Sequence, residues 1–544
     1  MLSLFCACCI SLKVSINDIE YEGSSLDEIL NNNRIEKNSV NSIHVLSGDF
    51  DMKEFISKEY SNLTSFELEN GCYSGLISTN NFGNSSSLKI IRIYSEITTE
   101  NKFLSNSTNI EEICFTNLKN ETVNKDYASS NIQNVTLIGP TTIGDHAFYN
   151  CSKLISVSIP NAISIGNFAF SYCESLMNAN MPHIKIIKCA GFLNCLVLET
   201  INIEEAIMVD ELAFYQCRHL KSINIPHLSH LANSVFYCCA FLDTVRLENV
   251  TTIDPFAFFS CESLKNVYIP HLTNISNFLF DGCIWLETIS FEEVTSIGVS
   301  AFHFCVSLKN INIPHLKSIG DFGFMKCSAL KTIEFKELTY IGKSAFEGCK
   351  SLEDVHLNSL EIISDSSFAS CSLLYKLNLS SVKEIRGDEV FSSCTNLNTL
   401  ILTGLEIVNS SYGYLFILCS NLKHIYFGNM PPKTFSSHIS FEDIKIDVPS
   451  YDSWKNYIPQ SKKISPNHYK WYGFKFSYPP TSNTPEPTSN PPNQHGKKIV
   501  VIVVVSIIVI IIAVIPVVLL AKKKKKEESD LKMNTNTFDQ KLIV

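Results

Sequence analysis

The 544-residue sequence lacks the short signatures of common active sites. It holds no G-x-S-x-G, H-E-x-x-H or EF-hand pattern, which excludes the nucleophile elbow, the zinc-protease helix and the calcium loop. Gly342-Lys343-Ser344 spells part of a phosphate loop, but Glu337 stands where that loop needs its first glycine. The fourteen histidines form no cluster in the sequence. No C-x-x-C pair occurs between residues 130 and 450, which disfavours a structural zinc site there. Excess basic charge is lacking as well. Lys and Arg number 44 against 54 Asp and Glu, for a net charge of −10. The last 23 residues carry seven Lys and four Asp or Glu, or +3, so the remainder is at −13 and suits no nucleic-acid partner. No cofactor is indicated, and the chain does not read as an enzyme.

What the chain has instead is a period. A cysteine recurs every 22 residues from Cys151 to Cys371, and Cys394 and Cys419 continue the series with slightly longer spacing. A leucine follows each of these thirteen cysteines by three residues, from Leu154 to Leu422. Apolar residues stand six and eight positions after it, as in Val157/Ile159 and Ile311/Ile313, and a phenylalanine keeps the same register from Phe148 to Phe368. Self-similarity at this period means stacked coils of a solenoid rather than one central core. In the unit Cys305–Phe324, CVSLKNINIPHLKSIGDFGF, Leu308–Ile313 alternates as a strand and Pro314 ends it. Ile319-Gly320 reads as a turn, with the glycine free to adopt positive φ. Phe322–Cys327 is expected to return over the outside as a short helix or 3-10 turn. Four or five inward side chains cannot offset the cost of ordering a whole coil, so stacking is required. A small buried thiol filling a tight corner suits the cysteine column better than a disulfide ladder, because thiols that point the same way do not reach the disulfide torsion.

The thirteen C-x-x-L units, with Leu338–Phe346 (LTYIGKSAF) as a good copy of the second half, resemble the BspA-like class of leucine-rich repeats over roughly residues 130–450. The resemblance implies an α/β repeat solenoid: 22-residue turns, a parallel β-sheet on the concave face and short helical or 3-10 turns outside. It also implies a surface protein that binds host cells, matrix or other microbes, and it brings no residue-level site.

Upstream, Leu88/Ile91/Ile93, Ile110/Ile113/Phe115 and Ile132/Val135/Leu137 keep the 22-residue spacing, and Leu63/Phe66/Leu68 and Val40/Ile43/Val45 follow it with altered spacing. The array is therefore expected to start near residue 37 as degenerate turns and to run for about eighteen turns, with 17–129 as cap and degenerate repeats and 130–430 as regular repeats. A second period of 44 residues places His183, His227, His271 and His315 in one column, with Glu205, Asn249, Glu293 and Glu337 in the turns between. Stacking would align them along one edge. A protonated histidine beside a glutamate is favoured, so a pH-responsive strip and a charge-balanced solvated edge are the two readings. Polar strand residues such as Lys309, Asn310, Asn312, Lys331 and Thr332 complete the candidate binding surface. Ten N-x-S/T sequons, at Asn62, Asn84, Asn106, Asn120, Asn134, Asn150, Asn249, Asn274, Asn378 and Asn409, suit a glycosylated exterior.

The ends differ in kind. Residues 1–16 carry an apolar run that reads as a signal peptide, with a buried first strand or acylated cysteines as rivals. After a last strand at Ile444–Val448, residues 431–478 hold eight aromatics, Trp454, Tyr457, Tyr469, Trp471, Tyr472, Phe474, Phe476 and Tyr478, which are expected to cap the final turn. Residues 479–498 are Pro/Ser/Thr/Asn-rich and read as an extended stalk. Ile499–Ala521 holds 23 residues without a charge and reads as one transmembrane helix. Lys522–Lys526 follow it and assign the 522–544 tail to the cytoplasm. The expected location is the plasma membrane, single-pass type I, with the ectodomain outside. An adhesin that binds an extracellular protein or glycan is the leading reading. A ligand-sensing receptor with a tail-bound partner, or a passive immune-decoy coat, are its alternatives.

Overall fold

The computed structural model describes residues 11–432 apart from isolated positions, and beyond them 445–448, Trp454 and three strands between Lys463 and Ser477. The leader segment before residue 11, the stalk, the apolar 499–521 run and the tail lie outside the described residues. Among the described residues no helix is long and apolar enough to cross a membrane.

Strand pairing follows the sequence period. Asn134–Leu137, Ser156–Ser158 and Asn178–Asn180 pair in parallel, Asn134 opposite Ser156 and Ser156 opposite Asn178, each 22 residues on. This first ladder starts at Ser42–Ser47 and continues past Thr399–Leu402 to His424–Phe427, about eighteen turns. The degenerate coils pair in the same way with longer offsets, Ser42 opposite Ser65 and Ser65 opposite Ile90. All fifteen apolar residues that keep the phase upstream are buried.

A second ladder goes beyond what the period alone implies. Ser296–Ile297, Ser318–Ile319 and Tyr340–Ile341 are parallel two-residue strands, so the expected turn at Ile319-Gly320 is instead the end of a strand. Gly320 does not adopt positive φ. Its role is close approach: a Cβ there would lie 2.9 Å from the Gly298 carbonyl carbon and from Val299 N, and one on Gly342 would lie 2.7 Å from Asp321 N. Glycine lets the coils close.

The outer segment also differs from expectation. In the regular array it is neither helix nor 3-10. Phe322 and Lys326 adopt φ of 60° and 64°, which breaks any helical run. The backbone N–H groups then alternate their targets. Gly323, Met325 and Cys327 donate within the coil to Gly320, Phe322 and Phe324, while Phe322, Phe324 and Lys326 donate to Lys343, Ala345 and Glu347 of the next coil. Three consecutive turns thus satisfy the buried backbone across the stack. Short helices do occur in the irregular coils, at Leu26–Asn32 and Thr79–Phe82, with 3-10 turns at Lys37–Ser39, Ser57–Glu59 and Lys125–Tyr127.

The interior is a set of columns. Leu308, Ile313, Leu316, Ile319, Phe324 and Cys327 of one coil are fully or almost fully buried, and Ile311 is partly so. Phe302 lies between Phe280 and Phe324 with ring centroids 5.4 and 5.1 Å away and planes nearly parallel. All seventeen cysteines among the described residues are free thiols. The column has a reason beyond filling space. Each thiol from Cys173 to Cys419 donates to the carbonyl of a phenylalanine one coil back, as Cys305 to Phe280 at 3.1 Å and Cys327 to Phe302 at 3.1 Å. That carbonyl also accepts the N–H three residues on, so the S–H occupies its second lone pair. Burial pushes the thiols from Cys239 to Cys371 well up, and Cys151 up to about 12.

Both ends of the stack are covered. β1 (Leu12–Ile16) and β2 (Ile19–Gly23) form an antiparallel hairpin, and β1 lies antiparallel on β3 (Ser42–Ser47), Val14 opposite Val45. α1 (Leu26–Asn32) follows, with the Ser25 hydroxyl accepting from Glu28 N and with Ile29 and Leu30 buried. The boundary expected at residue 16 therefore coincides with the end of a strand that closes the array. At the other end Lys445–Asp447 pairs in parallel with His424–Phe427. It is not the last strand: Phe474–Ser477 pairs beside it, and His468–Trp471 and Lys463–Ser465 extend the sheet in antiparallel fashion. Trp454 is buried against Phe427, and its indole N–H donates to the Gly428 carbonyl at 3.0 Å. Tyr457, Tyr472 and Tyr478 lie outside the described residues.

Two outcomes follow. Phe302→Ala should cost about 3–5 kcal/mol in chemical denaturation, because the ring is wholly buried between two others. The thiols make the second. Their folded-state pKa lies above the unfolded value near 9, so above that pH the unfolded chain loses protons that the folded chain keeps. Stability should fall as pH rises past about 9, by up to about 1.4 kcal/mol per pH unit for each such thiol, and Cys305→Ala should reduce the slope of melting temperature against pH.

Candidate binding surface

Because the strand period is two, residues flanking each inward side chain of the first ladder face solvent. One column on that face reads Asn178, Thr200, Ser222, Thr244, Asn266, Thr288, Asn310 and Thr332, one residue per coil and uncharged throughout. All are exposed except Thr244, which is half-buried. A second column holds Asn180, Asn224, Arg246, Tyr268, Ser290 and Asn312. Within it the Arg246 guanidinium lies over the Tyr268 ring, 4.8 Å from its centre. Like side chains one coil apart bond to each other, as Asn180 to Ser158 and Asn312 to Ser290, each at 3.0 Å. Of the predicted surface residues, Asn310 and Asn312 sit on this face, and Lys309 lies just before the strand, paired with Glu287 at 2.8 Å.

The histidine column is built, but as separate pairs. His183 Nδ1 lies 3.0 Å from Glu205, His271 3.2 Å from Glu293, and His315 3.1 Å from Glu337. His227 breaks the alternation, since Asn249 turns its amide to the Pro226 carbonyl instead. The Glu205 carboxyl is held below the usual carboxylate range, first by its bond to His183. These groups face solvent, where such a pair adds little stability.

The sequons fall on different sides. Asn134 and Asn378 are on first-ladder strands and Asn274 and Asn409 on the second. Asn249 lies on the histidine edge, and Asn62, Asn84, Asn106 and Asn150 are exposed on turns. Asn120 is tied at both ends of its amide to the Thr99 backbone and is poorly presented for modification. No sequon falls on the first-ladder strands between Asn134 and Asn378. Among the described residues, one group could gather around a metal ion, His44 with Glu67 and Glu69. His44 already bonds Glu69 at 3.0 Å and Arg92 faces Glu67 at 3.5 Å, so the group is satisfied without an ion.

Comparisons with known proteins agree with this architecture. The family model described as BspA type leucine-rich repeat region matches residues 53–176, 141–254, 229–338 and 317–442. No curated protein matches the sequence. Among solved structures, a leucine-rich repeat protein from Bacteroides ovatus superposes with a TM-score of 0.51 at 22% identity, over 75% of this chain and 96% of that one. A leucine-rich cell surface protein from Faecalibacterium prausnitzii gives 0.32 at 22% identity, over 59% and 83%. The T. pallidum leucine-rich repeat protein gives 0.26 at 32% identity, over 28% and 72%. With the matched segments running from residue 53 to 442, through both ladders and the cysteine column, the chain belongs to the BspA-type leucine-rich repeat family.

Proposed function

We propose that the chain is a cell-surface binding protein that engages an extracellular protein or glycan through the exposed face of its first ladder. The observation that carries this reading is the eight-coil uncharged column from Asn178 to Thr332. It offers donors and acceptors at one strand spacing, about 4.8 Å, which suits an extended partner laid along the stack. Lys309, Asn310 and Asn312 belong to this surface, and the paired His183/Glu205, His271/Glu293 and His315/Glu337 form a flanking edge. Sequons bracket this stretch of strands without entering it, which suits a surface left open for contact. In this reading Ile499–Ala521 anchors the chain, the solenoid is extracellular, and the short tail is cytoplasmic. Repeat positions are filled by what stacking needs, which favours binding over catalysis.

A glycan wedge tests it. Asn180→Thr creates a sequon at Asn178, and Asn312→Thr creates one at Asn310, both in the middle of the face. With the full chain displayed on eukaryotic cells, both variants should gain a glycan and lose attachment to host cells and matrix. Asn274→Gln, which removes the sequon on the second ladder, should leave attachment unchanged. Attachment that survives both added glycans would contradict the reading.

A further inference from the structure

The second ladder is not continuous. It runs from Thr122–Val123 to Met208–Val209, resumes for His230–Leu231 and Thr252–Ile253, and resumes again at Asn274–Ile275. The break coincides with a change in the glycine column. Gly144, Gly166, Gly298, Gly320 and Gly342 occupy one position of the coil, directly after the second strand. In the five coils between Gly166 and Gly298 that position holds Lys188, Asp210, Ala232, Asp254 and Ser276. Side chains now stand where hydrogen atoms let coils approach elsewhere. Pro255 adds to this, because it has no N–H to give to Asn233, in a place where Asn277 and Asp321 each cap the next coil's N–H at 2.8 Å. Asn233 accepts from its neighbour Ser234 instead, at 2.7 Å.

A cavity of about 320 Å³ opens at this break. Its apolar side is formed by Ile207 and Met208, which are 58% and 44% exposed although apolar. Its polar side carries Asp210, Glu211 and Asp254, with the small Ala232 between the two aspartates in the stack. No lysine or arginine among the described residues pairs with any of these three carboxylates. The Asp210 carboxylate accepts the adjacent Glu211 N–H, at 2.8 Å, and Asp254 meets His230 Nε2 at 3.3 Å. His230 is held by its other nitrogen against the Thr252 hydroxyl at 2.9 Å. Glu211 meets the weakly donating Cys189 thiol, at 4.0 Å. An apolar wall beside carboxylates with no basic side chain of their own matches one kind of group, an alkyl stem that ends in a cation.

We propose that this cavity binds a basic side chain, arginine or lysine, presented by a peptide or protein partner. The stem rests on Ile207 and Met208, and the cationic head lies among Asp210, Glu211 and Asp254. The site is on the second ladder and is independent of the polar face of the first.

The test uses the full chain in detergent micelles and saturation-transfer NMR with the peptide acetyl-Gly-Arg-Gly-amide. Its citrulline counterpart, equal in shape and uncharged, is the reference. The arginine peptide should bind at least about tenfold more tightly than the citrulline peptide, and added salt should weaken it. The pair Asp210→Asn and Asp254→Asn should remove that preference, and Met208→Trp, which fills the mouth from an exposed position, should remove binding even if the aspartate pair does not fold. Glu293→Gln, on the histidine edge, should change nothing. Equal binding of the two peptides, or arginine binding that persists in Met208→Trp, would overturn the assignment.

Discussion

Every feature of this fold depends on the contact of each coil with an identical position one coil away. A 22-residue coil encloses no core of its own. It becomes stable when Leu lies on Leu, Phe on Phe and backbone on backbone of its neighbours. The three runs of cross-coil hydrogen bonds and the stacked phenylalanines both express that requirement. So does the thiol bond from each cysteine to the phenylalanine carbonyl of the preceding coil. This bond ties two of the most regular columns in the sequence to each other, and it explains a cysteine where alanine would fill a similar space and leave the lone pair without a donor.

The same repetition makes the surface. A position that faces solvent in one coil faces solvent in all of them, so residue choice along the stack becomes a stripe. Where the stripe is uncharged and short, as from Asn178 to Thr332, the result is a regular polar face. Where a position demanded by packing is given up, as in the glycine column between Lys188 and Ser276, the coils lose their second ladder and open a cavity. Uniform columns maintain the stack, and interruptions give the array individual places. For a protein whose coils are copies, the second kind of site is the one that distinguishes one stretch of the stack from another.

Much of this was legible in the sequence because period is a strong signal. The cysteine, leucine and phenylalanine columns set the coil length, and the degenerate coils were readable from apolar phase alone, down to Val40, Ile43 and Val45. What misled was local chemistry read one residue at a time. Gly320 suggests a turn with positive φ, whereas its lack of a side chain serves the approach of Gly298 and Val299. Phe322 and Lys326 suggest a helical return, whereas both adopt left-handed backbone in non-glycine residues, which residue type gives little reason to expect. The alignment of the His and Glu column followed from the period, but its pairing did not, because Asn249 bonds the Pro226 carbonyl. The cavity was not legible at all. Asp210, Glu211, His230 and Asp254 lie in three different coils and have no motif, and the only trace was the absence of glycine at a position not yet known to require it.

Hydrogen exchange on the full chain, measured peptide by peptide in the native protein and in Gly320→Val, bears most directly on neighbour-to-neighbour stability. The branched side chain must push apart the coils that contain Gly298 and Gly320. If stability resides in contacts between adjacent coils, protection is lost in the few coils around residues 290–345 and is retained near Val135 and Leu400. Uniform loss of protection along the array, or no loss at all, would contradict that account.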